Sequence, residues 1–398
     1  MRTIGVVTVG RSDYGNYVPL LRAIQRDAAL RLQLIVGGMH LSAAFGLTVE
    51  AIRADGFDIA DRVEMLLSSD APEGIATSMG VGVMGFAQAY ARHRPDVLVV
   101  LGDRFEMYAA ASAAVPFRMP IAHIAGGELT EGAIDNSFRH AITKLSHLHF
   151  VTTATYAARV IQMGEEPWRV TVSGALGLDH LQAFVASGRP ALEALVGLRL
   201  DPPPLVVTYH PVTLEYDRAG VQIDALLNAL QPLDRPLIFT LPNADTNGRV
   251  IRQRIEAFVA RRPSAVLVPN LGTQAYFSLM AHAAAMVGNS SSGLVEAPSF
   301  GLPVVDIGTR QAGRLRAANV IPCGYGADEI RQALARALSP EFRAGLQGLR
   351  NPYGEGRASE RILEALTGVA IDDRLLVKAF HQVGARQAPQ ELSAWTRI

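Results

Sequence analysis

Residues 3–9 read TIGVVTV, a β-branched, apolar run with no polar alternation. Such a strand must be covered on both faces, which fits a parallel sheet between helices and not a sheet with one wet side. Runs of the same kind recur at 32–36, 97–101, 120–124, 149–152 and 170–172, then at 205–208, 237–241, 265–268, 284–288 and 304–307. Helical patterns lie between them, for example at 75–91, 105–114 and 154–163. Strands alternating with helices in both halves specify an α/β chain of two doubly wound, Rossmann-like domains. SGALG at 173–177 reads as the crossing, and three prolines at 202–204 stiffen the start of the second half. The domains are therefore placed at 1–175 and 176–366. The tail at 367–398 shows a helical pattern over 372–380 and then a polar, frayed end. The halves share no visible sequence repeat.

Open α/β sheets bind ligands beyond the carboxyl ends of their strands, so the loops there carry the chemistry. Gly10-Arg11-Ser12-Asp13-Tyr14-Gly15 follows the first strand and departs from G-x-G-x-x-G, which counts against NAD. Arg11 is either an ordinary surface charge or a phosphate contact. The run at 97–101 ends in Gly102-Asp103-Arg104, and that at 120–124 ends in Ala125-Gly126-Gly127-Glu128, with Glu131 and Asp135 soon after. Paired glycines let a backbone approach a ligand closely. Mixed charges also mark solvated helix faces, but here the acids sit at strand ends. Clustered carboxylates raise one another's pKa, as acid–base work requires.

In the second half GNSSSG, residues 288–293, opens a helix. Free N–H groups, the helix dipole and the hydroxyls of Ser290 and Ser291 favour an anion, although the same serines serve as ordinary N-caps. Glu296, about two turns on, suits a ribose diol. His210, between a strand end and a proline, suits a phosphate or a carboxylate. No Walker lysine supports ATP hydrolysis and no G-x-S-x-G elbow supports a serine hydrolase. His140, His147 and His149 lack the H-E-x-x-H pattern and a thiolate pair, so no metal is expected.

Lys+Arg and Asp+Glu balance at 37 each, leaving no global field for nucleic acid or an acidic membrane. No apolar run reaches spanning length, and the first strand follows Met1-Arg2 too closely to leave room for a signal peptide. Cys323 is the sole cysteine, which excludes an internal disulfide and fits a reducing compartment. A cytoplasmic protein is expected, with acids from one half and an anion site from the other facing a shared cleft. That arrangement suits a nucleotide sugar.

GDRFEM (102–107), HIAGGELTEGAIDNSFRHAITKLSHLHF (123–150), GNSSSGLVEAPSFGLPVV (288–305) and GTRQAGR (308–314) resemble the hydrolysing UDP-N-acetylglucosamine 2-epimerases of sialic-acid and related nonulosonic-acid pathways. The resemblance runs from the Arg11 loop to about Arg361. It implies a GT-B-like fold, no metal or redox cofactor, a UDP-sugar substrate and a homo-oligomer. It places Asp103 and Asp135 among the catalytic carboxylates. Arg11, Arg104, His210, Asn243, Ser290, Ser291, Glu296 and Arg310 fall around the diphosphate and ribose. Some members read HIEGGE, so their additional acid is Ala125 here; that role is absent, supplied by water, or passed to Glu128 or Glu131. Thr130-Glu131-Gly132 is similar to members acting on a 2,4-diacetamido-trideoxy sugar.

The reaction so implied converts UDP-GlcNAc to free ManNAc and UDP. The alternatives are the same chemistry on the diacetamido sugar nucleotide, and a GT-B glycosyltransferase. C2–H of a hexosamine lies beside no ring carbonyl, so the C1–O bond to UDP must break first. Arg11, His210 and the Ser290/Ser291 loop would stabilise the departing diphosphate. A carboxylate among Asp103, Glu128, Glu131 and Asp135 would then take the proton to give a glycal. Water adding at C1, with protonation at C2 from the other face, completes the epimerisation.

Overall fold

The computed structural model describes residues 1–69, 71–131, 133–241, 248–268 and 271–384. Two parallel sheets form. The first holds β1 (Arg2–Thr8), β2 (Leu30–Gly37), β3 (Ile59–Val63), β4 (Val97–Leu101), β5 (Ile121–Ile124), β6 (Leu148–Val151) and β7 (Val170–Val172), in the order β3-β2-β1-β4-β5-β6-β7. The second holds β8 (Leu205–Thr208), β9 (Leu237–Thr240), β10 (Ala265–Val268), β11 (Ala285–Gly288), β12 (Val304–Ile307) and β13 (Val320–Cys323), in the order β10-β9-β8-β11-β12-β13. Both orders reverse once, between β1 and β4 and between β8 and β11. Loops diverge there and leave a crevice.

Period-two alternation divides each sheet between two cores. Ile4, Val6, Val97 and Val99 face one helical layer, while Val7, Val9, Leu98 and Val100 face the other. In the second sheet Leu205 and Val207 face one layer and Val206 and Met286 the opposite one. That last core also takes in Val151, Tyr156 and Val160 of the first half, so the halves share buried apolar surface. Polar ties reinforce it: Tyr156 Oη accepts from Leu315 N–H at 3.0 Å, and Tyr353 Oη donates to Leu315 O at 2.8 Å.

The last described helices return to the first half. Ala358, Ile362 and Leu366, on the helix Ala358–Gly368, are buried with Ile4, Leu20 and Leu21 on the first core, and Leu375 joins them. Within the expected helical stretch at 372–380, only Asp373–Leu376 is helical; the chain then extends along the surface of the first half. The frayed end at 385–398 lies outside the described residues. Two strands, β3 and β13, had no apolar run to announce them. Each is a sheet edge, where one side needs no partner strand, and their sequences IADRV and VIPC reflect it. No helix among the described residues is long and apolar enough to cross a membrane.

Gly288, at the end of β11, is the tightest point of the second crevice. A Cβ there would lie 1.8 Å from Thr208 O, and its φ is +136°. Gly288→Ala combines backbone strain with overpacking and is expected to cost roughly 3 kcal/mol or more. Urea unfolding followed by circular dichroism would measure the loss.

Candidate active site

The site begins with three turns at the ends of first-half strands. After β1, Asp13 is buried and accepts from Val9 N–H (2.9 Å), Gly10 N–H (2.7 Å) and Thr8 Oγ1 (2.8 Å), which fixes the turn into the helix Arg11–Arg26, so that Arg11 and Ser12 open a helix where a loop was expected. Burial raises the Asp13 carboxyl to about 6 against these bonds. After β4 comes Gly102-Asp103-Arg104. Beneath it His123 of β5 is fully buried and donates Nε2–H to Gly102 O at 2.8 Å. Burial lowers His123 to about 3, so it works as a neutral positioning donor. After β5, Ala125 adopts φ +64° and Gly127 φ +75°. A Cβ at Gly127 would meet Tyr156 O at 2.6 Å, so only glycine lets the turn fold back and bury Glu128.

Glu128 is enclosed by cations from both halves. Its Oε1 accepts from Thr152 Oγ1 at 3.0 Å, while Oε2 pairs with Arg314 of the second half and lies 3.8 Å from Arg139 Nη1. Arg139, itself buried on the helix Asp135–Leu145, also pairs with Asp103 and donates to Ala125 O at 2.8 Å. Burial alone would lower the Arg314 pKa, but Glu128 raises it above the ordinary value. Arg104 is held by the fully buried Glu106 at 3.1 Å.

Across the crevice β8 and β11 end side by side. His210 N–H donates to Asn289 Oδ1 at 2.7 Å and Asn289 Nδ2 donates back to His210 O at 2.8 Å. Arg310 Nη1 and Gln311 Nε2 both donate to Asn289 O, at 3.1 and 2.9 Å. Burial, with Arg310 adding to it, drives the His210 pKa well down, so the ring offers neutral donor and acceptor groups and not a counter-charge. The helix after GNSSSG is one turn, Ser292–Val295, and passes into a 3-10 turn at Ala297–Phe300 around Pro298. The expected long helix dipole is therefore short, and Glu296 stands at the helix end. Ser290 Oγ accepts from Ser292 N–H at 3.3 Å, a turn contact one residue ahead of the N-cap Ser291, whose own side chain makes no capping bond among the described residues. Burial raises Glu296 to about 7 despite a bond from Ser292, and its enclosed Oε2 has no hydrogen-bond partner among the described residues.

A cavity of about 280 Å³ joins the two sides. Asp103, Arg104, Glu128 and Asp135 line it from the first half, and Ser291, Glu296 and Arg310 from the second. Ser12, Arg139, Gln311 and Arg314 line it as well. Other anticipated residues stand back from this wall. Arg11 is exposed beside Ser12, while Ser290 and His210 precede the lining residues Ser291 and Pro211. Glu131 is exposed with its carboxylate toward Gly313, where a Cβ would lie 2.6 Å from Oε1. Asn243 lies outside the described residues. Arg139, Arg314 and Thr152 carry the carboxylate network without having been singled out as site residues. Only the four-residue spacing of Asp135 and Arg139 offered a signal, since it puts both on one helix face.

The two doubly wound sheets facing a shared cleft define a GT-B-like architecture. The model of the UDP-N-acetylglucosamine 2-epimerase family matches residues 22–367, and the chain belongs to that family. It is 40% identical over 344 residues to the hydrolysing GDP/UDP-N,N′-diacetylbacillosamine 2-epimerase of Campylobacter jejuni, covering 86% of this chain and 89% of the relative. It is 35% identical to the hydrolysing UDP-N,N′-diacetylbacillosamine 2-epimerase of Legionella pneumophila, covering 95% and 99% of the two chains. In fold it matches the crystal structure of UDP-GlcNAc 2-epimerase from Neisseria meningitidis bound to UDP-GlcNAc with a TM-score of 0.80. That match has 18% identity and covers 92% of this chain and all of the other.

Two outcomes follow for the ligand-free protein. Arg314→Met strips Glu128 of one of its two cations and is expected to cost about 3–5 kcal/mol in urea unfolding, the usual penalty for breaking a buried pair. Glu296 binds its proton more tightly folded than unfolded, so its contribution to stability is full below about 4.5 and lost as pH rises through about 7. Thermal melts from pH 5 to 8 should therefore fall more steeply for the wild type than for Glu296→Gln.

Proposed function

We propose that the protein is a hydrolysing 2-epimerase that converts UDP-N,N′-diacetylbacillosamine to the free 2-epimeric sugar and UDP. The observation that carries the chemistry is a single cavity lined by Asp103 and Asp135 on one wall and by Ser291, Glu296 and Arg310 on the other. The choice of sugar is supported by the names of the Campylobacter and Legionella relatives and by Ala125, whose methyl group leaves room at the cavity wall. UDP-GlcNAc is the second reading, favoured by a relative 30% identical over 85% of this chain, the UDP-N-acetylglucosamine 2-epimerase of Neisseria meningitidis.

In this reading the second half holds the nucleotide. Arg310 and the Ser290–Ser291 turn face the diphosphate, with neutral His210 and Asn289 fixing that turn from behind. The unpartnered Oε2 of Glu296 accepts from a ribose hydroxyl. Breakage of the C1–O bond sends its electron pair to the diphosphate, and the charge left at C1 acidifies C2–H. Glu128, its oxygens taken up by Thr152 and two guanidinium groups, serves to anchor the cleft. Asp103 and Asp135 divide the proton work: one removes H2 to give the glycal, the other delivers a proton to C2 from the opposite face, and the water that adds its hydroxyl at C1 passes its remaining proton to the carboxylate so vacated. This division asks for no further acid at Ala125.

Asp103→Asn and Asp135→Asn should each lower turnover roughly 100- to 10,000-fold, with UDP affinity by calorimetry held within about threefold. Equal losses in both quantities would remove that residue from proton transfer. The substrate test runs the wild type in D₂O with UDP-N,N′-diacetylbacillosamine, its GDP counterpart and UDP-GlcNAc in separate reactions. Free nucleotide and one deuterium at C2 are expected, with the UDP-diacetamido sugar at least about tenfold better in kcat/KM. Faster turnover of UDP-GlcNAc would overturn the sugar assignment and leave the chemistry standing. Absence of nucleotide release without an added acceptor would favour a glycosyltransferase.

A further inference from the structure

The helix Asp135–Leu145 brings Asp135 and Arg139 to the cavity at its N-terminal end. Its other end, roughly 15 Å away along a rigid rod, meets a buried charge cluster. Glu165, fully buried, accepts from Lys144 Nζ at 2.5 Å, Lys378 Nζ at 2.8 Å and His149 Nε2 at 3.0 Å. Burial alone would raise Glu165, but these three donors hold it down to about 2. Burial lowers the His149 pKa, which leaves a neutral ring donating through Nε2. Lys378 belongs to the extended segment after Asp373–Leu376 and does more than pair with Glu165. Its Nζ also donates to Lys144 O at 2.9 Å and to Ser146 O at 2.6 Å. Lys144 lies in the last turn of the helix and Ser146 is its C-cap, where carbonyls lack intrahelical donors and a cation meets the negative end of the dipole.

The segment that carries Lys378 is firmly seated. Arg169, buried, donates to Arg374 O at 2.7 Å, Leu375 O at 2.8 Å and Val377 O at 3.1 Å. Leu375 is buried in the first core, and His381 N–H donates to Gly164 O at 2.9 Å. Lys378 is thus a fixed post against the helix end and not a drifting surface charge.

We propose that Lys378 is a positioning residue for the epimerase site, holding the C-terminal end of the helix Asp135–Leu145 so that Asp135 and Arg139 stand correctly at the other end. The proposal rests on the preceding reading for what that helix does. Lys378→Met leaves Glu165 paired with Lys144 and His149, so the chain keeps its fold while the helix carbonyls lose their donor. Turnover should fall about ten- to a hundredfold, as small misplacements of reacting groups do, with the UDP dissociation constant unchanged within about twofold. Glu165→Gln removes the ion pairs but leaves Lys378 on the two carbonyls. It should lower the melting temperature yet keep most of the turnover.

A kcat that tracks the melting temperature across both variants, or wild-type kcat in Lys378→Met, would overturn the proposal. Hydrogen exchange across residues 135–145 reads the same contact without any substrate. Faster exchange in Lys378→Met supports the post, and unchanged exchange defeats it. A wild type that released no nucleotide would defeat the epimerase reading alone.

Discussion

The structure depends on one carboxylate held by two guanidinium groups. Glu128 comes from the first half, Arg139 from the helix beside it and Arg314 from the second half. Taking these charges out of water costs several kcal/mol each, and the cost is met only where every partner is in place. The pairing therefore adds little net stability, but it fixes how the halves face each other at the cleft floor. Asp103 is drawn in through Arg139, so the same network sets the position of a second acid lining the cavity.

That network divides the acids by environment. Glu128 is enclosed and doubly paired, while Asp103 shares one cation and keeps a fifth of its side chain exposed to the cavity. Glu296, on the opposite wall, is raised by burial and left with an unpartnered oxygen. These three of the four carboxylates lining the cavity thus differ in how they are solvated and paired, and different roles follow from that difference.

Much of this was legible from the chain itself. The unbroken apolar runs announced the parallel sheets because two-sided burial leaves no polar alternation. Asp103, Glu128 and Ser291 were visible because strand-end loops are where such sheets bind, whereas Arg310 came only through the family resemblance. Two of the four edge strands, β3 and β13, were missed, since charged residues in the one and a proline in the other break the apolar run. Arg139 and Arg314 were missed for another reason: they act through contacts between residues 11 and 186 positions from Glu128, and no local pattern encodes those. The one-turn helix after the serines was also hidden, because Pro298 at the start of the following 3-10 turn cuts short what looked like a full helix. Nor does a partition by sequence position express the return of Ala358–Gly368 to the first core.

Tyr156, Tyr353 and Leu315 join the halves along one margin, within a core that both halves build. Packed cores of this kind resist sliding, so any relative motion has to swing about that margin as a cover swings on its spine. Opening of that kind parts the crevice most on the side away from the two tyrosines. In the proposed reaction, a glycal held between the walls would meet stray water only while that side stood open.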